Sequence, residues 1–163
     1  MKSLLIIGAG QYGMVVKEIA ESLGYDKIDF LDDNNPIAVG GLNDFDKLAD
    51  EYNSAVVAIG NAEMRLELIS KLTAAGYELP VLIHAKAYVS PSVKIGVGTV
   101  IEPMAVVNSD TVIGVGCIIS AGVIINHNCI IEDGCHIDCG TVVGARVVVR
   151  SKTNTKYGEI ITG

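Results

Sequence analysis

The chain has 163 residues, half of them apolar, and a formal net charge of −7. This is enough apolar material for a buried core, and the negative charge argues against nucleic acid and anionic membranes as partners. The sequence contains neither an apolar run of the roughly 18 residues that a membrane span needs nor a basic leader. We therefore expect a soluble, cytoplasmic protein.

Residues 1–83 alternate short apolar runs with helical stretches, which indicates a small parallel α/β domain, one half of a Rossmann fold. The expected strands are Ser3–Ile7, Ile28–Leu31, Ala55–Ile59 and a fourth at Leu79–Ile83, and the expected helices are Tyr12–Leu23, Asp44–Tyr52 and Glu63–Ala75. On the third helix, Glu63, Arg65, Glu67 and Lys71 have the spacing of helical ion pairs. They predict a solvated face without a chemical role.

The first expected strand runs into Gly8-Ala9-Gly10-Gln11-Tyr12-Gly13, a G-x-G-x-x-G motif that opens a helix. The backbone of such a loop approaches phosphate closely at a helix N-terminus. Asp32 and Asp33 follow the second strand, where an acidic residue usually meets a ribose or another polar ring edge, and Gly60 ends the third strand. The three loops therefore converge on one crevice at the carboxyl edge of the sheet.

The size of this domain limits the ligand. Residues 1–83 supply one mononucleotide-binding half, whereas a dinucleotide needs two. We therefore predict a nucleotide-sugar or an anionic ligand of similar size. NAD remains an alternative, as does a purely structural role in which the glycines serve only a tight turn.

From Val89 to Asn154 the sequence repeats every six residues, and all eleven hexads begin with Val or Ile. This predicts a β-solenoid in which each hexad is a short strand and a turn, the first residue points inward, and three hexads form one coil. Residues 18 apart then stack in adjacent coils. Cys117, Cys129 and Cys135 occupy the narrow fifth position, so we expect reduced structural thiols and no metal. After Asn154 the pattern is lost.

Two histidines depart from this repeat. His127 occupies a third position, whose side chain points away from the core, and His136 interrupts a row of sixth positions that is otherwise Val or Ile from Val100 to Val148. An imidazole in an apolar row needs a partner, which favours a functional or interface role. The two rings are half a coil apart, so a site that uses both requires two subunits.

Hexads such as Ile95-Gly96-Val97-Gly98-Thr99-Val100 resemble those of the hexapeptide-repeat transferases. The resemblance implies a C-terminal left-handed parallel β-helix, whereas the general rule for parallel crossovers favours the right-handed form. Most enzymes of that family transfer an acyl group from a thioester of coenzyme A or of a carrier protein.

The order of motifs along the whole chain resembles the sialic acid O-acetyltransferase and nucleotide-4-aminosugar N-acetyltransferase group, of bacillosamine and perosamine type, which serves polysaccharide biosynthesis. The matching stretches are 7–13, 30–33, 58–61, 82–84, 125–129 and 135–137. The resemblance implies that residues 1–83 bind a nucleotide-linked amino sugar and residues 84–163 bind acetyl-CoA and perform catalysis. It also implies a homotrimer that holds acetyl-CoA between neighbouring helices.

Individual roles follow from the same resemblance. The residues implied to contact the nucleotide-linked sugar are Gly8, Gly10, Gln11, Tyr12, Asp32, Asp33 and Gly60. His127 is implied to be the general base, with Asn128 beside it, and His136, Gly144 and Ala145 are implied to contact acetyl-CoA. The implied reaction transfers an acetyl group from acetyl-CoA to the amino group of a nucleotide-linked 4-amino-4,6-dideoxy sugar.

Family members frequently follow the base with Glu or Asp, whereas this chain has Asn128. We therefore expect a weaker base, or an acidic partner from Glu132 or Asp133. Two alternatives stay open: O-acetylation of a sugar hydroxyl of sialic acid type, and a nucleotide-sugar-binding protein without transfer activity. A zinc enzyme on this helix would need three histidines there, and the helix has only two.

Overall fold

The computed structural model describes residues 2–163, and the chain forms two compact units, Met1–Pro80 and Val81–Gly163. The first is an α/β unit. It contains β1 Ser3–Ile7, α1 Gln11–Ser22, β2 Lys27–Leu31, a 3-10 helix Asp44–Leu48, β3 Ser54–Val57 and α2 Ala62–Ala74.

The strands of the α/β unit form a parallel sheet in the order β2-β1-β3. Ile6 of β1 lies between Phe30 of β2 and Val56 of β3. Residues Leu4 to Ile7 have no solvent exposure, because a central parallel strand is covered on both faces. This confirms the half-Rossmann prediction, with the loops that follow the three strands at one edge.

The second expected helix of this unit is shorter than the sequence indicated. It is a 3-10 helix that ends at Leu48, whereas the prediction extended it to Tyr52. Tyr52 is buried, and its hydroxyl donates a hydrogen bond to Asp29 of β2. The helix therefore ends before Tyr52, and this tyrosine packs against the sheet.

The second unit is a left-handed parallel β-helix whose two-residue strands stack in three sheets. The first sheet contains β4 Leu82–Ile83, β7 Val100–Ile101, β10 Ile118–Ile119 and β13 His136–Ile137. The second contains β5 Tyr88–Val89, β8 Val106–Val107, β11 Ile124–Ile125, β14 Val142–Val143 and β16 Ile160–Ile161. The third contains β6 Lys94–Ile95, β9 Val112–Ile113, β12 Ile130–Ile131 and β15 Val148–Val149.

The first coil begins earlier than expected. Leu82 and Ile83 pair with Val100 and Ile101 of the next coil and do not extend the N-terminal sheet. They lie 18 residues before those partners, so they fit the stacking period of the coil. The two compact units accordingly divide after Pro80 and not after Ile83.

The first hexad positions fill the core of the β-helix, as predicted. Between Ile101 and Val149, each of them is at most 4% exposed.

The fifth positions have a further role that the sequence did not indicate. The Thr99 hydroxyl donates to the Gly114 carbonyl at 2.9 Å, and the Cys117 thiol donates to the Glu132 carbonyl at 3.2 Å. Small polar side chains at this position therefore satisfy turn carbonyls that face the interior.

The coil also continues beyond Asn154, so the expectation that the repeat is lost there is wrong. Thr155 takes a first hexad position and is 5% exposed, and its hydroxyl bonds to that of Thr141 at 3.0 Å. Ile160 and Ile161 then pair with β14. Because Thr155 is polar, the sequence does not reveal the repeat at this position. In the structure the buried hydroxyl of Thr141 provides the hydrogen-bond partner of Thr155.

We predict that Val107→Ala destabilises the protein by about 2 kcal/mol, because the lost methyl groups leave a void between two coils. Val97→Ala removes the same atoms from a side chain that is 47% exposed, whereas Val107 has no exposure. It should cost less than about 0.5 kcal/mol. Urea unfolding of the two variants beside the wild type checks this, and equal midpoints for both variants would contradict the inward position of the first hexad residue.

Candidate active site

The loop between β1 and α1 needs glycine at two of its three glycine positions. Gly8 has a φ of +110°, and a Cβ there would lie 2.8 Å from the Ala58 carbonyl oxygen, while a Cβ on Gly13 would overlap the Gly8 carbonyl. A Cβ on Gly10 would meet nothing within 4 Å, and Gly10, the N-cap residue of α1, has no side chain that could bond to the first amides of the helix. The loop thus presents open backbone at a helix N-terminus, which stabilises an anion.

Asp32 holds this loop from the neighbouring strand. Its Oδ2 accepts a hydrogen bond from the Ala9 amide at 2.8 Å, and its Oδ1 accepts from the Asn34 and Asn35 amides at 2.9 and 3.0 Å. These amides, that of Ala9 foremost, lower the pKa of Asp32 below its ordinary value. The Asn35 side chain donates in turn to the Ala9 carbonyl at 2.7 Å. Both oxygens of Asp32 therefore order the loop.

The other residues expected in the crevice lie at the same edge of the sheet. The exposed Asp33 accepts a hydrogen bond from the Leu42 amide at 2.9 Å. Gly60 is exposed, and a Cβ on it would meet nothing within 4 Å. Gln11 is exposed and Tyr12 half-buried in the first turn of α1. The structure thus brings together the three loops that the order of strands predicted.

The prediction of a solvated charged face on α2 is wrong for Arg65, which is 1% exposed. Its Nη1 donates to the Ile59 carbonyl at 2.8 Å and to the Gly60 carbonyl at 3.0 Å. Glu67 and Lys71 do form the expected exposed ion pair, at 2.7 Å. Arg65 therefore supports the Gly60 loop from beneath.

The sequence contained a signal for the buried position of Arg65. This residue precedes Leu68, Ile69 and Leu72 at intervals of three, four and seven, and all four are buried on one stripe of α2. That spacing defines the inward face of a helix. An arginine within an apolar stripe is thus a candidate for an internal structural cation.

His127 lies in the turn after β11, half-buried, and the next residue orients its ring. Its Nδ1 is 2.8 Å from the Asn128 Oδ1. Because the amide oxygen can only accept, Nδ1 carries a proton, and the neutral form of the ring has its lone pair on Nε2. Asn128 has a left-handed backbone with a φ of +57°, a conformation that asparagine tolerates. The pair thus presents an imidazole whose second nitrogen is able to take a proton.

The carboxylates proposed as acidic partners of this imidazole are engaged elsewhere. Glu132 forms an ion pair with Arg150 at 3.2 Å, and Asp133 accepts a hydrogen bond from the Val115 amide at 2.7 Å. Both sets of contacts tie adjacent coils together. Asn128 is therefore the residue that orients the ring.

Gly144 and Ala145 lie one coil above Asn126 and His127, because residues 18 apart stack in this helix. The Arg146 amide donates to the His127 carbonyl at 3.0 Å, which fixes that register locally. Gly144 and Ala145 are both half-buried. The Gly144 amide donates to the Ile161 carbonyl at 2.8 Å, and the Gly144 carbonyl accepts from the Cys129 thiol at 3.0 Å, so the coil itself uses both backbone groups of this residue.

His136 lies in β13 on the first sheet, whereas His127 follows β11 of the second sheet. The two rings are thus on different faces of the coil, consistent with their half-coil separation. The Nε2 of His136 is 3.1 Å from the Ser120 Oγ and 3.7 Å from the Asp138 Oδ1. These polar neighbours explain how an imidazole replaces an aliphatic residue in this row.

Residues 2–163 contain no group of three or more His, Cys, Asp or Glu side chains that is arranged to hold a metal ion. No helix in that range is both long and apolar enough to cross a bilayer.

The glycine loop and the oriented histidine define the class of the protein. It combines an α/β unit that has an open glycine loop with a left-handed β-helix of hexapeptide repeats that carries an oriented imidazole. The PglD N-terminal domain family matches residues 3–72, the region of the glycine loop and of Asp32. The chain is also similar to UDP-N-acetylbacillosamine N-acetyltransferase of Bacillus subtilis (strain 168), with 31% identity over 111 residues, 62% of this chain and 51% of that protein. It thus spans about half the length of this curated relative.

Solved structures match over nearly the whole chain. The acetyltransferase domain of PglB from Neisseria gonorrhoeae FA1090, in complex with acetyl coenzyme A, is 32% identical, with a TM-score of 0.83 over 98% of this chain and 84% of that one. PerB from Caulobacter crescentus, in complex with CoA and GDP-perosamine, is 26% identical, with a TM-score of 0.72 over 96% and 92% of the two chains. The match to the PglB domain, at 32% identity over 84% of that chain, shows that this chain belongs to the same acetyltransferase family.

We predict that Asp32→Ala lowers the free energy of unfolding near pH 7 and that this difference shrinks in acid. Because the folded state lowers the pKa of Asp32, its stabilisation is fully present above the unfolded value of about 4 and is lost as the pH falls through the folded value. Urea unfolding at several pH values checks this. The exposed Asp50→Ala removes the same charge and is the matched control. A constant difference for Asp32→Ala down to about pH 3 would contradict the account.

We predict that Arg65→Met destabilises the α/β unit by about 3 kcal/mol, because two carbonyls of the Gly60 loop lose a charged donor. Lys71→Met on the same helix is the matched control. It removes an exposed ion pair and should cost at most about 1 kcal/mol. Thermal and urea unfolding measure both, and equal effects of the two substitutions would show that Arg65 does not support the loop.

Proposed function

We propose that the protein transfers an acetyl group from acetyl-CoA to the amino group of a nucleotide-linked 4-amino-4,6-dideoxy sugar, with His127 as the general base. The hydrogen bond between the His127 Nδ1 and the Asn128 Oδ1, 2.8 Å long, carries this proposal. It holds the ring in the one neutral form that leaves Nε2 ready to accept a proton.

The relatives support the chemistry of the proposal. The Bacillus subtilis relative is named for N-acetylation of a UDP-linked amino sugar, the PglB domain binds acetyl coenzyme A, and PerB binds CoA and GDP-perosamine. The two solved structures bind acetyl coenzyme A or CoA on a fold like that of this chain. Together they favour an amino-sugar acceptor over an unrelated acyl acceptor.

The reaction requires one proton transfer in each direction. The neutral amine attacks the thioester carbonyl, and the Nε2 of His127 takes the proton that the nitrogen loses as the new C–N bond forms. The tetrahedral intermediate then collapses, the C–S bond breaks, and the CoA sulfur leaves and ends as the thiol when the imidazolium returns the proton. A base with a pKa near neutrality suits both steps.

The α/β unit is the proposed site of the nucleotide-linked sugar. The open backbone at Gly10 and the first amides of α1 would receive the phosphates. Gly8 shapes this loop and Asp32 orders it from within. The sugar and the nucleobase would also contact Gln11, Tyr12, Asp33 and the exposed backbone of Gly60.

Acetyl-CoA is the proposed ligand of the β-helix, at His136, Gly144 and Ala145. Because His127 and His136 lie on different faces of the coil, one bound coenzyme can meet both only between two copies of the chain. An outward row on the third sheet, Val112, Ile130 and Val148, is 42, 44 and 44% exposed and offers apolar area for such contact. These observations support a homotrimer.

Asn128 favours an amine over a hydroxyl as the acceptor. An amide orients the imidazole but adds no negative charge to raise its basicity. A neutral amine already carries the reactive lone pair, whereas a hydroxyl depends more strongly on proton removal. O-acetylation of a sugar hydroxyl is therefore the second candidate.

We expect His127→Ala to lower acetyl transfer roughly 100-fold or more, because the attacking amine loses its proton acceptor. Release of free thiol from acetyl-CoA, measured with and without a UDP-linked 4-amino sugar, checks this. Release that depends on the sugar in the wild type and falls in the variant supports the proposal.

Asn128→Asp is the matched control, because a carboxylate retains the acceptor for Nδ1–H. It should keep transfer activity within about tenfold of the wild type. Unchanged activity of His127→Ala would remove the histidine from the reaction. Absence of thiol release by the wild type, while the nucleotide-sugar still binds, would favour a binding protein without transfer activity.

The shared site between subunits predicts complementation. Chains with His127→Ala and chains with His136→Ala should each be inactive, yet trimers that contain both should regain part of the activity, since some sites combine two intact histidines. Co-expression followed by thiol-release assays measures this, and light scattering measures the mass of the assembly. A monomer of full activity, or mixed assemblies no more active than either variant, would contradict the arrangement.

A further inference from the structure

The turns of the β-helix share one backbone conformation. The fourth hexad positions from residue 98 to residue 158 all have a positive φ, and six of these eleven residues are glycine. Asp110 and Asn128 belong to residue types that tolerate this left-handed conformation. The other three residues have long side chains that do not favour it: Met104, Arg146 and Lys152. Two cations therefore stand at positions where glycine is the less strained residue.

Arg146 lies in the turn one coil above His127. The register of β11 and β14 places it over Asn128, and its amide donates to the His127 carbonyl at 3.0 Å. Its side chain is exposed, and its guanidinium forms no ion pair with any of residues 2–163. A solvated cation is thus available one coil above the proposed base.

Lys152 has the same relation to His136. The register of β12 and β15 places this exposed lysine over Gly134. Two residues further along the chain, Asn154 pairs with His136. The same coil therefore carries one cation above each of the two histidines.

The segment that contains these cations is basic, although the chain as a whole is acidic. Residues 146–156 include four of the 12 Lys and Arg residues and no Asp or Glu, whereas the formal net charge of the chain is −7. Of the other two cations, Arg150 forms an ion pair with Glu132 at 3.2 Å, and Lys156 is exposed. This local excess of positive charge favours an anionic ligand.

We propose that Arg146 of one copy and Lys152 of a neighbouring copy bind the phosphate groups of acetyl-CoA. This rests on the proposed function, in which one coenzyme meets His127 of one copy and His136 of another. A rotation axis parallel to the helices keeps each coil at the same level in all copies. Arg146 and Lys152 then lie one coil above the two histidines, on the same side of the thioester.

The chemistry of the coenzyme fits these side chains. Its charge lies on the diphosphate and the 3′-phosphate, at the end of the pantetheine arm opposite to the thioester. The planar guanidinium of Arg146 can donate to two phosphate oxygens at once, and the ammonium of Lys152 adds a compact charge. A nucleotide-linked sugar also carries phosphates, but the α/β unit offers the Gly10 loop for them. The cations of the β-helix are therefore assigned to the coenzyme.

Titration of the protein with CoA tests this assignment without acetyl transfer. Arg146→Gly and Lys152→Gly each remove one cation and relieve a left-handed backbone, so we expect urea midpoints no lower than that of the wild type. Each substitution should raise the Kd for CoA roughly tenfold, the equivalent of one charged hydrogen bond. Adenosine 3′,5′-bisphosphate, which retains phosphates but lacks the pantetheine arm, should lose affinity in the same way. Arg146→Lys retains the charge and should recover most of the loss.

Two further variants serve as matched controls. Met104→Gly relieves the same backbone strain without a change of charge, because Met104 has a φ of +64°. Lys86→Gln removes an exposed cation of the β-helix that lies outside residues 146–156. Both should leave the Kd for CoA as in the wild type. S-acetylpantetheine has no phosphate, so its KM as an acetyl donor should be the same in the wild type and in Arg146→Gly.

The possible results separate this inference from the proposed function. An unchanged Kd for CoA in both glycine variants, or a rise no larger than that of Lys86→Gln, would overturn the proposal. A rise in the Kd for UDP without one for CoA would assign the cations to the nucleotide-linked sugar and would overturn it as well. A wild type that binds CoA through these cations but releases no thiol would retain this inference and remove the proposed transfer.

Discussion

The vertical hydrogen bonding between coils is the constraint on which the arrangement of this protein depends. Backbone amides such as that of Asn126 donate to the coil above, at 3.0 Å from the Val143 carbonyl, and so align residues 18 apart. This register places Ala145 above His127 and Arg146 above Asn128. A shift of one residue toward the next hexad would move His136 from the sixth position to the inward first position and so would bury it in the aliphatic core.

Polar side chains inside the protein order the loops and turns, as the hydrogen bonds between coils order the strands. Asp32 binds the amides of the glycine loop, Arg65 binds the carbonyls of the Gly60 loop, and the Thr99 hydroxyl satisfies a turn in the β-helix. Each group is satisfied within the protein, so the backbone that faces outward is ordered before any ligand arrives. Such preorganisation lowers the entropy cost of binding.

The regular parts of the structure are predictable from the sequence because they arise from repetition. The aliphatic hexad leads indicate the coil, and the spacing of strand, glycines and helix indicates the nucleotide-type loop. The tertiary contacts of single polar residues are not predictable in this way. The ion-pair spacing of α2 suggests a solvated Arg65, although this residue lies on the same buried face of the helix as Leu68 and Leu72. Thr155 hides the last coil in the sequence, because its hydrogen-bond partner, Thr141, is not adjacent to it along the chain.

The central claim is that the chain makes an amide bond on a nucleotide-linked amino sugar. The most direct test is to supply acetyl-CoA labelled with carbon-13 at the carbonyl, together with a UDP- or GDP-linked 4-amino-4,6-dideoxy sugar, and to locate the label by NMR. The account predicts a labelled carbonyl bonded to the nitrogen at C4 of the sugar. Label on a sugar hydroxyl, or release of all label as free acetate beside an unmodified sugar, would contradict it.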